Sequence, residues 1–184
     1  MTTDISAPRP DGDQRDGVGP TPFRAVMRHH AKGVAVITAG DDAPVGLCAT
    51  SLATVSLEPP HVSFAVGLQT ASWATMETAP YVAVNLLAEG QEDVARRFAR
   101  TGEPKFGTAT SWHRGAFGLP MLDGVLASLV VATVGVLTVA DHALVVGRVL
   151  DARHGVSGGP LVHHDGEFVR LASPHQASTG QARG

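Results

Sequence analysis

Apolar positions along the chain recur at two different spacings, and the spacing changes where the element type changes. Gly33 to Ala39, His61 to Gly67, Tyr81 to Leu87, Val125 to Val139 and Ala143 to Leu150 are rich in β-branched residues and bounded by Gly, Pro or Asp, which predicts strands. Pro160 to His164 and Glu167 to Leu171 flank Asp165-Gly166, a two-residue hairpin signal, and Ala140-Asp141-His142 reads as a second hairpin turn. Gly40-Asp41-Asp42-Ala43-Pro44 turns the first strand back into Val45. Helical spacing occurs in three places. Thr21-Pro22 opens a helix whose apolar face, Phe23, Val26, Met27 and His30, is expected to cover a sheet, with Gly33 as the stop. Trp73 to Ala79 is a short helix with Ser72 at its cap. Glu89 to Arg100 is amphipathic, with Val94, Ala95, Phe98 and Ala99 facing inward and Glu92/Arg96 and Asp93/Arg97 as i,i+4 pairs on a solvated face.

Many strands joined by short turns, with few helices between them, predict a mainly β fold: a closed barrel with helical caps. The 184 residues suffice for one core. Residues 1–20 hold almost no large apolar side chains and read as a disordered arm, 21–172 as the folded domain, and 173–184 as a flexible tail. A net charge of −3 with no basic run gives nucleic acid nothing to bind. The longest apolar run, Gly124 to Ala140, is short of the roughly 20 residues a spanning helix requires, so no membrane partner is expected. The N-terminus lacks a basic region followed by an apolar core, and the cytoplasm is the expected location. Cys48, the single cysteine, excludes an internal disulfide; in an apolar strand it reads as a small packed hydrophobe or, as the alternative, a nucleophile.

Candidate chemistry gathers between Gly46 and Pro60. The segment leaves a sheet, exposes Thr50, Ser51, Thr54 and Ser56, and returns after a diproline that disfavours helix. Small hydroxyls and open backbone amides suit a flat, polar-edged ligand, although an ordinary Ser/Thr-rich edge strand would read the same way. The start of the helix after Ser72 is either a phosphate site or a capped connector. Asn85 stands among aliphatics and needs buried partners. The Gly-rich segment from Thr101 to Pro120 carries Phe106, Trp112 and Phe117 and reads as a loop giving aromatic cover to a pocket, with Trp112 alternatively a core plug. Gly-x-Gly-x-x-Gly and Walker patterns are missing. The paired histidines His29-His30 and His163-His164 point in different directions, so no metal site is expected. A chain with no acid, base or nucleophile set of its own leaves the chemistry to a cofactor.

From Phe23 to Leu171 the sequence resembles the flavin reductase family of FMN-binding split barrels, the reductase components of two-component flavin-dependent monooxygenases. The resemblance is carried by Phe23-Arg24…Met27, Gly33-Val34-Ala35-Val36-Ile37-Thr38, Gly46-Leu47-Cys48-Ala49-Thr50-Ser51-Leu52 and Val55-Ser56-Leu57-Glu58-Pro59-Pro60. It continues through Ser72-Trp73, Val82-Ala83-Val84-Asn85-Leu86-Leu87, Gln91…Phe98-Ala99, Asp141-His142…Val146-Gly147-Arg148-Val149 and Pro160-Leu161-Val162. It implies a Greek-key split barrel, a homodimer, FMN or FAD as cofactor, NADH or NADPH as co-substrate, and a monooxygenase partner. It implies flavin contacts from Thr50, Ser51, Leu52, Ser56 and Leu57, a phosphate contact from Ser72, Phe106 packed near the flavin, and His142 against the nicotinamide nucleotide. No side chain is assigned a catalytic role. The chain departs from the family at Ala140, where Gly is usual before Asp-His, at Cys48, at Ser128-Leu129-Val130-Val131 and at His163. Two other readings stand beside the reductase: a protein that retains flavin or deazaflavin and acts on an organic substrate, and a non-catalytic dimeric binding module.

Overall fold

The computed structural model describes residues 17–171 and the backbone of Thr2–Asp4. In chain order the elements are β1 (Thr2–Asp4), α1 (Pro20–Met27), β2 (Lys32–Gly33), β3 (Ala35–Ala39), β4 (Val45–Ala49), β5 (Ala53–Leu57) and β6 (Pro60–Gly67). They continue with α2 (Trp73–Thr78), β7 (Tyr81–Leu86), α3 (Glu92–Ala99), β8 (Trp112–Arg114), β9 (Pro120–Leu122), β10 (Ala127–Val139), β11 (His142–His154), β12 (Val162–His164) and β13 (Glu167–Val169).

The main sheet runs β4-β3-β7-β10-β11-β6-β5, and β1 lies parallel to β10 at Val136–Thr138. Its interior is filled by one face of each strand: Ile37, Leu47, Phe64, Val66, Val84, Val131 and Val145 are buried there together. β3 is buried on both faces, because Val34 and Val36 point outward onto α3 and meet Phe98 and Leu161 in a second core. Gly46 permits that approach; a Cβ there would stand 2.5 Å from the Phe98 ring. Asn85 on β7 finds its partners: its amide donates to the Val36 carbonyl at 3.1 Å and Thr38 Oγ1 at 3.3 Å, and its oxygen accepts from Leu122 N–H at 3.0 Å. The Asp165-Gly166 turn takes φ values of 50° and 86°, the left-handed pair such a two-residue hairpin requires.

The barrel is split, as the resemblance implies, and not closed as the strand pattern alone suggests. β4 and β5 are the two free edges of the sheet, and no ladder joins β4 to β6. Where β5 leaves β6, the Ser51 hydroxyl takes the place of a strand, accepting from Ala65 N–H at 2.9 Å and facing Ala65 O at 3.5 Å. The helix expected from Thr21 begins at Pro20 with no side-chain cap, and it covers no sheet: Phe23 and Val26 are 59% and 69% exposed. The i,i+4 ion pairs of α3 give way to other partners. Arg97 donates to Ala109 O at 2.8 Å and to Thr110 Oγ1, while Arg96 lies over the Phe168 ring. The segment read as a loop contains the β8–β9 hairpin. Of its aromatics, Phe106 and Trp112 pack edge-on in the second core, and Phe117 stacks on Tyr81 with ring centres 4.0 Å apart, where the two line a small surface pocket. In the expected N-terminal arm Thr2–Asp4 form a strand, while its residues 5–16 and the expected tail lie outside the described residues. Among the described residues no helix is long and apolar enough to cross a membrane.

Candidate functional site

The split leaves an open cleft of about 670 Å³ on the outer faces of β4 and β6. Alternation along β4 sends Leu47 and Ala49 into the barrel and turns Gly46 and Cys48 outward. Cys48, Ala65 and Gly67 therefore form a floor of backbone and small side chains, and beside them the Phe98 ring packs over Gly46. The opposite wall is the run Arg100–Lys105 that follows α3, and one end is made by Thr70–Ser72 and by His142 at the β10–β11 turn.

Each wall is fixed by identifiable bonds. Ser72 is buried and its hydroxyl donates to the Gly46 carbonyl at 3.0 Å, tying the start of α2 to β4 rather than capping the helix. Thr70 closes the preceding turn by donating to Gly67 O at 2.8 Å. His142 pairs with Gly67 across the β11–β6 ladder and bonds Asp141 Oδ1 through Nδ1 at 2.8 Å, which leaves Nε2 as the free ring nitrogen. That bond with His142 holds the Asp141 carboxyl below its ordinary value. Lys105 Nζ donates to the carbonyls of Arg97 and Arg100, two of the acceptors left open at the end of α3. Burial pushes its ammonium below its usual range, with Glu103 and Cys48 opposing the shift. Burial also pushes the Cys48 thiol up to about 11, and the Lys105 charge offsets part of that rise. A thiol protonated throughout the neutral range packs as a small hydrophobe and is no nucleophile.

Of the residues singled out in the sequence, Ser72 and His142 line the cleft. Ser51 stands at its rim through the bond to Ala65, with Thr50 beside it, and Leu52 packs against the barrel core. Ser56 and Leu57 lie on the free edge strand β5, where Leu57 is 83% exposed. Phe106 sits behind the cleft between Phe98 and Trp112, with ring centres 5.4 and 5.2 Å away. Sequence reasoning missed Arg100, Glu103 and Lys105. Their signal was a basic residue just past an amphipathic helix, where it meets unpaired carbonyls.

A cleft with a flat, small-residue floor, cations in one wall and no residue placed as acid, base or nucleophile defines a nucleotide-cofactor protein built on a split barrel. The chain belongs to the family described as flavin reductase like domain, which matches residues 27–172. It is 35% identical over 153 residues to an NADH:FMN oxidoreductase of Rhodococcus qingshengii, covering 80% of each chain. It is 34% identical over 157 residues to HsaB, the reductase subunit of a flavin-dependent monooxygenase of Mycobacterium tuberculosis, covering 84% of this chain and 83% of that one. Among solved structures it resembles the Streptomyces globisporus NADH:FAD oxidoreductase SgcE6, crystallised with NAD and FAD fragments. That match has a TM-score of 0.80 at 30% identity and covers 87% of this chain and 99% of that one.

Proposed function

We infer that the protein is a flavin reductase: it uses NADH or NADPH to reduce FMN or FAD and passes the reduced flavin to a partner monooxygenase. The observation that carries this is the open cleft, whose size falls in the range of cofactor sites and whose floor is lined by Cys48, Ala65 and Gly67, with the Phe98 ring packed against Gly46 beside them. The residues present fit a flavin. Cys48, Ala65 and Gly67 offer a shallow seat of small residues for a planar ring, and Lys105 contributes a positive charge that cannot swing away, because two carbonyls hold it. When bound, the flavin supplies the hydride-accepting chemistry that the side chains lack. The chain's own part is positioning: the Ser72–Gly46 bond fixes one end of the cleft, and Asp141 orients His142 so that Nε2 remains available to a nucleotide. Thr50, Ser51, Leu52, Ser56 and Leu57 belong to this reading as flavin contacts on the rim and on the adjoining free edge, and Phe106 as support behind the seat.

The proposal extends to a homodimer. Phe23, Val26, Val55 and Leu57 are exposed apolar residues on α1 and β5, which a second copy would cover. It extends to domain bounds of 21–172 and to the cytoplasm, where the reduced nicotinamide pool is found. The relatives named as reductase subunits of a flavin-dependent monooxygenase support the monooxygenase partner. The test is NADH oxidation by the purified protein with and without FMN. Flavin-stimulated, saturable turnover is expected, and its absence would reject the reading.

A further inference from the structure

The wall Arg100–Lys105 follows the end of α3 without regular structure, and its tip packs on nothing. Thr101–Pro104 are exposed, and no atom lies within 4 Å of where a Cβ on Gly102 would stand. The far end of the wall is tied down from outside the cleft. Thr110 is 5% exposed; its hydroxyl donates to the Lys105 carbonyl at 2.8 Å and accepts from Arg97 Nη1 at 3.2 Å. Arg97 Nη1 also donates to Ala109 O at 2.8 Å, and the Thr110 N–H donates to Gly107 O at 3.0 Å. Lys105 is therefore fixed at both ends, by Thr110 at its carbonyl and by the carbonyls of Arg97 and Arg100 at its ammonium. Thr110 itself does not line the cleft.

We propose that Thr110 is a positioning residue for flavin binding, which acts through Lys105 and holds the cleft wall in the conformation that receives the cofactor. This rests on the flavin reductase reading and deepens it for the same site. A lysine stem is flexible, so its ammonium occupies a defined place only when the residue that carries it is fixed. A loop that must be ordered during binding subtracts from affinity, whereas one ordered beforehand adds no such cost. A hydroxyl suits position 110 because it donates and accepts at once, and valine has nearly the same shape but does neither. In Thr110→Val the Lys105 carbonyl loses this donor, Arg97 keeps its bond to Ala109, and the path of residues 101–105 is no longer specified at its far end. Flavin binding then bears the ordering cost, while turnover at saturating flavin is unchanged.

The experiment compares the wild type with Thr110→Val, Thr110→Ser and a control, Thr133→Val. The Thr133 hydroxyl donates to Ala79 O at 3.1 Å, and neither of those residues lines the cleft. Three quantities are measured: the FMN dissociation constant of the apoprotein by flavin fluorescence, hydrogen exchange of residues 100–105 without flavin, and KM for FMN with kcat at saturating NADH. Thr110→Val is expected to weaken FMN binding and raise KM about tenfold with kcat held within about twofold, and to speed exchange across 100–105. Thr110→Ser should restore all three, and Thr133→Val should lower the melting temperature without moving FMN affinity. Wild-type FMN affinity in Thr110→Val, an equal loss in Thr133→Val, no recovery in Thr110→Ser, or a loss confined to kcat overturns the assignment. Should Thr110→Val fail to fold, Arg97→Met decides, because it removes the donor to Thr110 and Ala109 and keeps the stem; about threefold weaker FMN binding is expected there, and unchanged affinity overturns the assignment. A wild type that binds FMN but oxidises no NADH rejects the reductase reading and leaves the assignment to the binding and exchange data, whereas a wild type that binds no FMN rejects both.

Discussion

Ala140 holds a φ of 51° in the two-residue turn between β10 and β11, a left-handed conformation in which its Cβ crowds the backbone. The turn is required because its strands pair through Val139 and His142, and the Asp141 carbonyl accepts from Leu68 N–H at 3.0 Å. Replacing Ala140 by Gly relieves the crowding but enlarges the entropy of the unfolded chain, and the balance predicts a gain of about 0.5–1 kcal/mol. Urea denaturation checks this; a loss of stability would show that the turn is not strained. Cys48 supplies a second prediction at this scale. With its pKa raised by burial to about 11, the thiol remains protonated well above the ordinary value of 9.0. Its alkylation by iodoacetamide should climb about tenfold per pH unit from pH 8 to 10. The sign for stability follows: the folded state keeps a proton that the unfolded state releases, so stability falls as pH rises from about 9 to about 11. An alkylation rate that levels off by pH 9 would contradict the burial of this group. Neither feature was fully legible in the sequence. The departure at Ala140 could be seen, but the backbone angle it must adopt depends on strand register. Cys48 was read as a packed hydrophobe or a nucleophile, and its neighbour Lys105 comes from a loop distant in sequence.

Secondary structure followed the periodicity of apolar residues because most strands here are buried on at least one face and most turns carry Gly, Asp or Pro. What failed at this scale were partner assignments. Glu92 and Asp93 sit at ideal spacing from Arg96 and Arg97, yet Arg97 bonds to Ala109 and Thr110, which only the folded path of the 101–120 segment brings within reach. That segment lacks period, so the short β8–β9 hairpin and the burial of Phe106 and Trp112 were hidden. Asn85 shows how much can be read and where it stops: a lone amide in an aliphatic strand announces buried partners without saying which. The partners lie on β3 and β9, so one side chain clamps three strands. Asn85→Ala leaves the Leu122 N–H and the Thr38 hydroxyl with one bond fewer and is expected to cost about 2–4 kcal/mol. Chemical denaturation measures this, and a cost below about 1 kcal/mol would mean that the clamp does not hold these strands together.

For the whole molecule, the split leaves the cleft on the outer faces of β4 and β6, and exposed apolar residues stand on α1 and β5. The mainly β barrel was legible in the strand pattern, and its being split only in the resemblance, because which edges stay unpaired is not written in apolar periodicity. The location of the site was only partly legible, since the hydroxyl bend lies at the rim and a wall with no motif, Arg100–Lys105, completes the cleft. Leu57 projects from a free edge strand, and Leu57→Glu is expected to turn a dimer into a monomer in sedimentation velocity at micromolar concentration. An unchanged sedimentation coefficient would place the interface elsewhere. The central claim is that flavin sits on the floor formed by Cys48, Ala65 and Gly67. Ala65→Trp fills that floor without disturbing the backbone bond from Ala65 to Ser51, so the variant should keep its fold by circular dichroism. The decisive measurement is a titration of apoprotein and variant with FMN, followed by flavin fluorescence. Saturable binding by the wild type with a loss of at least about a hundredfold in Ala65→Trp is the result predicted. Equal affinity in the two proteins, or no binding by the wild type, would contradict it.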